Sequence, residues 1–269
     1  MIKSLRVASA KGLFYPLKCA EIQSYFEKFN RQLDAISLPQ EIKDITAKAV
    51  IVPHAGYIYS GYTANMGYHF LKKSKAKRVI IIGPSHHHYF KGISGSYYEA
   101  YETPCGNIPI DSAYLFALAK KFNIIFEPNA HKNEHSTEVQ IPFIKHYLPQ
   151  CKIIELIYSD IQIQDLANMM IALLNNKDNL LIISSDLSHF HTLKEAKEYD
   201  YFCLKAVEKL DNHIFQKGCK ACGGLGIQAL ISTAKQLHLS SKLLDYRTSA
   251  NANKDESSVV GYMSALFYW

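Results

Sequence analysis

The stretch that decides the fold is Arg78-Val79-Ile80-Ile81-Ile82-Gly83-Pro84-Ser85-His86-His87-His88-Tyr89. Four successive β-branched apolar residues, Val79 to Ile82, describe a strand buried on both faces. Gly83-Pro84 ends it abruptly, and Ser85 and three histidines follow at once. In an open α/β sheet, ligands gather beyond the carboxyl ends of the strands, so the histidines stand where chemistry is usually done. Two further stretches repeat the design. Ala49-Val50-Ile51-Val52 leads to Pro53-His54, and Leu180-Leu181-Ile182-Ile183 leads to Ser184-Ser185-Asp186 and then His189. Three apolar strands, each ending in a metal-capable or acid/base residue, predict one shared crevice.

Outward from these strands, elements alternate. Apolar residues at helical spacing over Leu17–Leu33 predict a surface helix, and a helix over about Tyr62–Leu71 forms the crossover between the first two loaded strands. Gly56 and Gly61 predict a tight turn. The Tyr/Ser/Gly-rich run Ile93–Thr103 reads as extended antiparallel segments. Asp111 is the expected N-cap of a helix to Phe122. A short strand at Ile124–Phe126 and a capping box at Thr137 and Gln140, opening a helix to Leu148, come next. Lys152–Ile157 reads as a strand, Gln164–Leu174 and Leu193–Leu210 as helices, then a Cys219–Gly224 loop, a helix to Leu237 and a closing strand at Val259–Phe267. The arm Arg6–Pro16 is irregular and needs Phe14 and Tyr15 as anchors against fraying. No Pro- or Ser-rich linker interrupts the series, so the expectation is one α/β domain over 1–269, a central mixed or parallel sheet flanked by helices.

With 269 residues, 48% hydrophobic and 20% charged, the composition is that of a soluble globular protein. No apolar run reaches the roughly 20 residues of a membrane span, and the first residues lack the apolar core of a signal peptide, so the expected location is the cytoplasm with no membrane partner. The net charge of +6 is densest at Lys72, Lys73, Lys75, Lys77 and Arg78. That run reads as a solvated helix C-terminus; without interleaved aromatics it does not predict nucleic-acid binding. The six cysteines are scattered, and the expectation for this compartment is six free thiols and no structural disulfide.

Of the candidate ligands, His54 and His86 follow strands joined by one crossover and are expected to bind metal together. Asp186 and His189 share a face if their turn is helical, with ligand, acid/base and supporting roles all open. Cys219 and Cys222 form a C-x-x-C without a second such pair, so a thiolate cage is not indicated. Cys222 alone, at the start of a helix after a Gly-rich loop, is expected to have a lowered pKa.

The motifs Gly12-x-Phe14-Tyr15-Pro16, Pro53-His54-Ala55-Gly56-Tyr57, Gly83-Pro84-Ser85-His86-His87, Tyr101-x-Thr103-Pro104, Glu134-His135-Ser136-x-Glu138, Ser184-Ser185-Asp186-x-x-His189, Cys222-Gly223 and Ser257-Ser258-Val259 run from end to end of the chain. In this order they resemble the MEMO family, known in bacteria as AmmeMemoRadiSam system protein B and related in fold to the class III extradiol dioxygenases. The resemblance implies a metal pocket of His54, His86 and Cys222, with Asp186 and His189 as acid/base residues and Tyr57, His87, Glu134 and His135 around them. It implies iron or copper as the metal, a small aromatic or peptide ligand, and a radical-SAM protein as system partner. The related dioxygenases hold Fe(II) with two histidines and a glutamate, where this chain has Cys222; a thiolate makes a softer site that also suits copper. Three readings follow: a metal-dependent oxidoreductase, a metal-binding protein without turnover, and a peptide-binding module using the pocket with the Lys72–Arg78 patch. Hydrolysis by a metal-activated water is a weaker fourth. On this basis Cys222→Ser abolishes tight copper or iron binding, Asp186→Asn weakens it less and Cys219→Ser leaves it nearly intact.

Overall fold

The computed structural model describes residues 3–269. In chain order its elements are β1 (Lys3–Arg6), α1 (Cys19–Asp34), α2 (Gln40–Lys43), β2 (Ala47–Val52), α3 (Tyr57–Leu71), β3 (Arg78–Pro84), β4 (Ile93–Gly95), β5 (Tyr98–Tyr101), β6 (Ile108–Pro109), α4 (Ser112–Phe122), α5 (Pro128–Lys132), α6 (His135–Glu138), α7 (Ile141–Tyr147), β7 (Lys152–Tyr158), α8 (Ile163–Leu174), β8 (Asn179–Ser184), β9 (His189–His191), α9 (Leu193–Lys209), α10 (Asn212–Gln216), α11 (Gly224–Gln236), β10 (Ser240–Thr248), α12 (Ala250–Asn253) and β11 (Val259–Tyr268).

The main sheet runs β10-β11-β2-β8-β3-β7-β4, with β9 attached to β11. Its centre, β2, β8, β3 and β7, is parallel, and antiparallel strands close both sides, so the sheet is mixed. Strand alternation explains why the central strands are apolar at every position. Val50, Val79, Ile81, Leu180 and Ile182 face one core, with Phe26, Tyr57, Tyr68 and Phe143 from α1, α3 and α7. Ile51, Ile80, Ile82, Leu181 and Ile183 face the other, with Leu166, Met170, Val207 and Leu230 from α8, α9 and α11. Both faces are thus covered by helices, as the uninterrupted apolar runs require. Because β2, β3 and β8 are parallel, with Val52 beside Ser184 and Ile82 beside Ile183, their carboxyl ends meet at one edge.

Several expectations change. The helix α3 starts at Tyr57, and Gly61 lies inside it, not in a turn: a Cβ there would come within 2.7 Å of the Phe29 ring. Ile124–Phe126 makes only an isolated bridge, Ser94 to Ile125, and the strand β10 is an element beyond those expected. The capping box at Thr137 does not form. Thr137 donates its hydroxyl proton to buried Glu155, and the Glu134 side chain caps α6 instead by accepting from Ser136 N.

The six-thiol expectation is overturned: Cys19 pairs with Cys105 and Cys203 with Cys219, leaving Cys151 and Cys222 free. Scatter in sequence says nothing of distance in space, and folding brings each pair to a Cα separation, 4.8 and 4.7 Å, that a disulfide spans. The second bond ties α9 to the loop that carries Cys222. The arm is anchored as expected, but chiefly by Glu138, whose carboxylate accepts from Ser9 N, Ser9 Oγ, Ala10 N and Tyr15 Oη. Phe14 then stacks on His135. Among the described residues no helix is long and apolar enough to cross a membrane.

Candidate metal centre

Two backbone features bring the ligands together. The His54 amide donates to Asp186 Oδ1 at 2.8 Å, tying the end of β2 to the end of β8. The Asp186 amide in turn donates to Cys222 Sγ at 3.3 Å, drawing in the loop before α11. Gly223 fits there because any Cβ would lie 2.6 Å from that of Ser185, whose hydroxyl accepts from Gly223 N. Cys222 Sγ then stands 3.3 Å from His54 Nε2, and the ligand atoms of His54, His86 and Cys222 all lie within 4.8 Å of one another.

The far nitrogens are occupied. His54 Nδ1 is 2.9 Å from Ser184 Oγ, and His86 Nδ1 donates to Glu134 Oε1 at 2.8 Å. Glu134 also accepts from the amides of His86 and Ser136, which fixes its carboxylate completely. A ligating histidine held by its other nitrogen is the usual arrangement at a metal. Two imidazoles and one sulfur, with one nitrogen of each ring free, therefore fit a borderline or soft transition metal. His86, Glu134 and His135 also cluster, but the hydrogen bonds on Glu134 make that carboxylate a support.

Electrostatics favour neutral imidazoles. Burial, then the neighbouring His86, holds His54 well below 6.5 despite the opposing pull of Glu134. Burial, then His54 and His86, lowers His135 to about 3. Burial would raise Glu134, but its hydrogen bonds and attraction to His86 outweigh this and hold it at about 2. Burial raises Asp186 to about 6 against the pull of its amide donors and His189. The expectation of a lowered Cys222 is reversed: burial first, then Asp186, pushes the thiol up to about 12. The helix N-terminus beside it does not compensate for lost water.

The other expected residues fall at different depths. Asp186 and His189 flank the pocket, but Ser185–Ser188 is not helical, so they share no helix face. His189 Nδ1 lies 2.8 Å from the Leu187 carbonyl, which can only accept, so Nδ1 carries the proton and Nε2 is free to exchange one. The rings of His135 and His86 stack at 4.6 Å, and His87 is at the exposed rim. Tyr57 is placed in the core, not the pocket: its hydroxyl donates to Val139 O and its ring packs on Phe143. Ser184, Gln140 and Phe14 touch the site's residues, whereas the sequence named them only as a strand end, a cap and an arm anchor, since an isolated Ser or Gln beside a strand carries no periodic signal. The Lys72–Arg78 run lies at the opposite end of β3, with Arg78 bound to Asp111 at 2.7 Å and Lys77 to Asp178 at 3.1 Å.

A family model described as Memo-like protein matches residues 6–266. The chain belongs to the Memo family. Curated MEMO1 family proteins resemble it over nearly their whole length. That of Aquifex aeolicus is 31% identical over 273 residues, covering 98% of this chain and 99% of the relative. That of Methanobrevibacter smithii is 32% identical over 282 residues, covering 98% and 99%. Among solved structures, an uncharacterized protein of Escherichia coli K12 superposes with a TM-score of 0.52 at 12% identity, covering 82% of this chain and 100% of that one, a likeness of fold. Every motif that carries the Memo resemblance lies within or beside the matched span, and His54, His86 and Cys222 come from three of them.

Proposed function

We propose that this Memo-family chain is a metal-binding protein that holds copper or iron between His54 Nε2, His86 Nε2 and Cys222 Sγ. The observation that carries the reading is the convergence of these donors within 4.8 Å while Ser184 and Glu134 occupy the far ring nitrogens. Bound, such a metal would supply redox or Lewis-acid chemistry. The chain's own part is to keep the imidazoles neutral, to release the thiol proton, and to leave the His86 side open to a small aromatic or peptide ligand. Purification without oxygen, followed by metal analysis and X-ray absorption, tests this; the expected first sphere holds one sulfur and at least two nitrogens. Protein that takes up neither Cu(I) nor Fe(II), or takes them up without a sulfur ligand, sinks the reading.

A second reading, oxidoreductase turnover, is favoured by His189, whose free Nε2 beside buried Asp186 can accept and return a proton. Oxygen uptake by the metal-loaded protein with catechols supports it; none across a range of catechols leaves metal holding without turnover. The peptide reading loses its cationic half, because the seven residues of β3 put roughly 20 Å between the pocket and the Lys72–Arg78 run.

A further inference from the structure

We propose that Ser184, held by Gln140, is a positioning residue that fixes which nitrogen of His54 is available to metal. The inference rests on the metal reading for its purpose, but the assignment itself follows from two backbone carbonyls that can only accept. Ser184 Oγ lies 2.5 Å from the Ser136 carbonyl oxygen. Two oxygens so close need a proton between them, and only the serine has one. The single hydroxyl proton is therefore spent.

Gln140 closes the other route. Its side-chain nitrogen is 2.9 Å from the Pro53 carbonyl, which settles the amide orientation, and the Tyr68 hydroxyl donates to the remaining Oε1 at 3.0 Å. The second hydrogen of the amide goes to Ser184 Oγ at 2.9 Å. With its proton on Ser136 and one lone pair taken by Gln140, Ser184 has only an acceptor left, directed at His54 Nδ1. That nitrogen must be N–H, so the bare lone pair of the neutral ring is on Nε2, facing Cys222. Ser184, Ser136, Gln140 and His54 are all buried, so water offers no alternative partner. The opposite tautomer would place a proton where the metal binds and leave an oxygen pair without one.

The test is a long-range proton–nitrogen NMR spectrum of the imidazoles in metal-free protein at about pH 7.5, with His54 assigned by its absence in His54→Gln. The expected spectrum has Nδ1 protonated and Nε2 bare; a protonated Nε2 overturns the proposal. In Ser184→Ala the ring should shift toward Nε2–H, paired with the Cys222 sulfur, and zinc affinity by chelator competition should fall about 10- to 100-fold, the usual effect of losing a ligand's supporting partner. A folded Ser184→Ala protein with an unchanged His54 spectrum also overturns it. If that variant does not fold, the wild-type spectrum decides. The spectrum is read without metal, so failure of the wild type to bind Cu(I), Fe(II) or zinc counts against the metal reading and not against the tautomer.

Discussion

Metal affinity should rise with pH about one log unit per pH unit between about pH 7.5 and 9, and this dependence should vanish in Cys222→Ser. The thiol is held at about 12 by burial and by Asp186. A metal that binds the thiolate must displace that proton, at a cost of about 6 kcal/mol at pH 7.5, more than four times that for a thiol of ordinary pKa near 8.5. The cost falls by about 1.4 kcal/mol for each pH unit. His54 adds nothing in this window, because burial holds its ring well below 6.5 and it is already neutral. The dependence therefore lies in the alkaline range and not in the histidine range, because burial acts in opposite directions on a ring that is neutral when deprotonated and a thiol that is charged. Anaerobic competition against a chromophoric chelator, corrected for the chelator's own protonation, measures the slope. A flat wild-type line, or a slope that survives in Cys222→Ser, refutes the thiolate as ligand.

Asp186→Asn should stabilise the metal-free protein at pH 8 by up to about 3 kcal/mol while weakening metal binding, because a carboxyl raised to about 6 in the fold costs stability above that pH and regains it as pH falls toward 3.8; denaturation at pH 8 and pH 4 checks the sign, and equal effects at both would sink it. Glu138→Ala should cost about 3 kcal/mol or more, since it releases the arm and leaves Arg6, 3.6 Å away, buried with less compensation; amide exchange at residues 8–15 should quicken, and an unchanged arm would contradict the anchor. Cys203→Ala with Cys219→Ala should lower stability by about 3 kcal/mol, as expected for a 16-residue loop, and should reduce metal affinity by loosening the Cys222 loop. Wild type under reductant, which also opens Cys19–Cys105, should lose at least as much stability and show the same loss in chelator titration.

The ends of β2, β3 and β8 were legible because burial on both faces forces an unbroken apolar run, and Pro53, Pro84 and the Ser184–Ser185 pair mark where each run stops. Their convergence followed from parallel order alone. The strand β10 was not legible: as an edge strand of exposed and half-buried residues, Lys242-Leu243-Leu244-Asp245 among them, it alternates poorly. Tyr57 was misplaced because one position after a glycine turn decides whether a ring faces the pocket or the core. The disulfides and the Cys222 shift were out of reach for a common reason, since both depend on which distant segments pack around a sulfur. As a free thiol Cys219 would be a bystander; paired with Cys203, it holds the loop that carries Cys222.

The charge count at the pocket explains why so many histidines can sit together there. His54, His86 and His135 have ring centroids between 4.6 and 5.4 Å apart, so a proton on His54 or His135 is opposed by burial and discouraged by a proton on a neighbouring ring. The cluster is thereby kept in the form that donates lone pairs. The anions available are the thiolate that Cys222 becomes on binding and the carboxylate of Asp186 beside it; Glu134 is already committed to His86. A monovalent ion with the thiolate leaves no net charge in the buried centre, and a divalent ion leaves one positive charge, which ionised Asp186 can offset. A buried centre penalises whatever charge remains. On the proposed metal reading, Asp186 would be the group that balances either Cu(I) or a divalent ion, and its elevated pKa would be the cost of keeping that carboxylate there before a metal arrives.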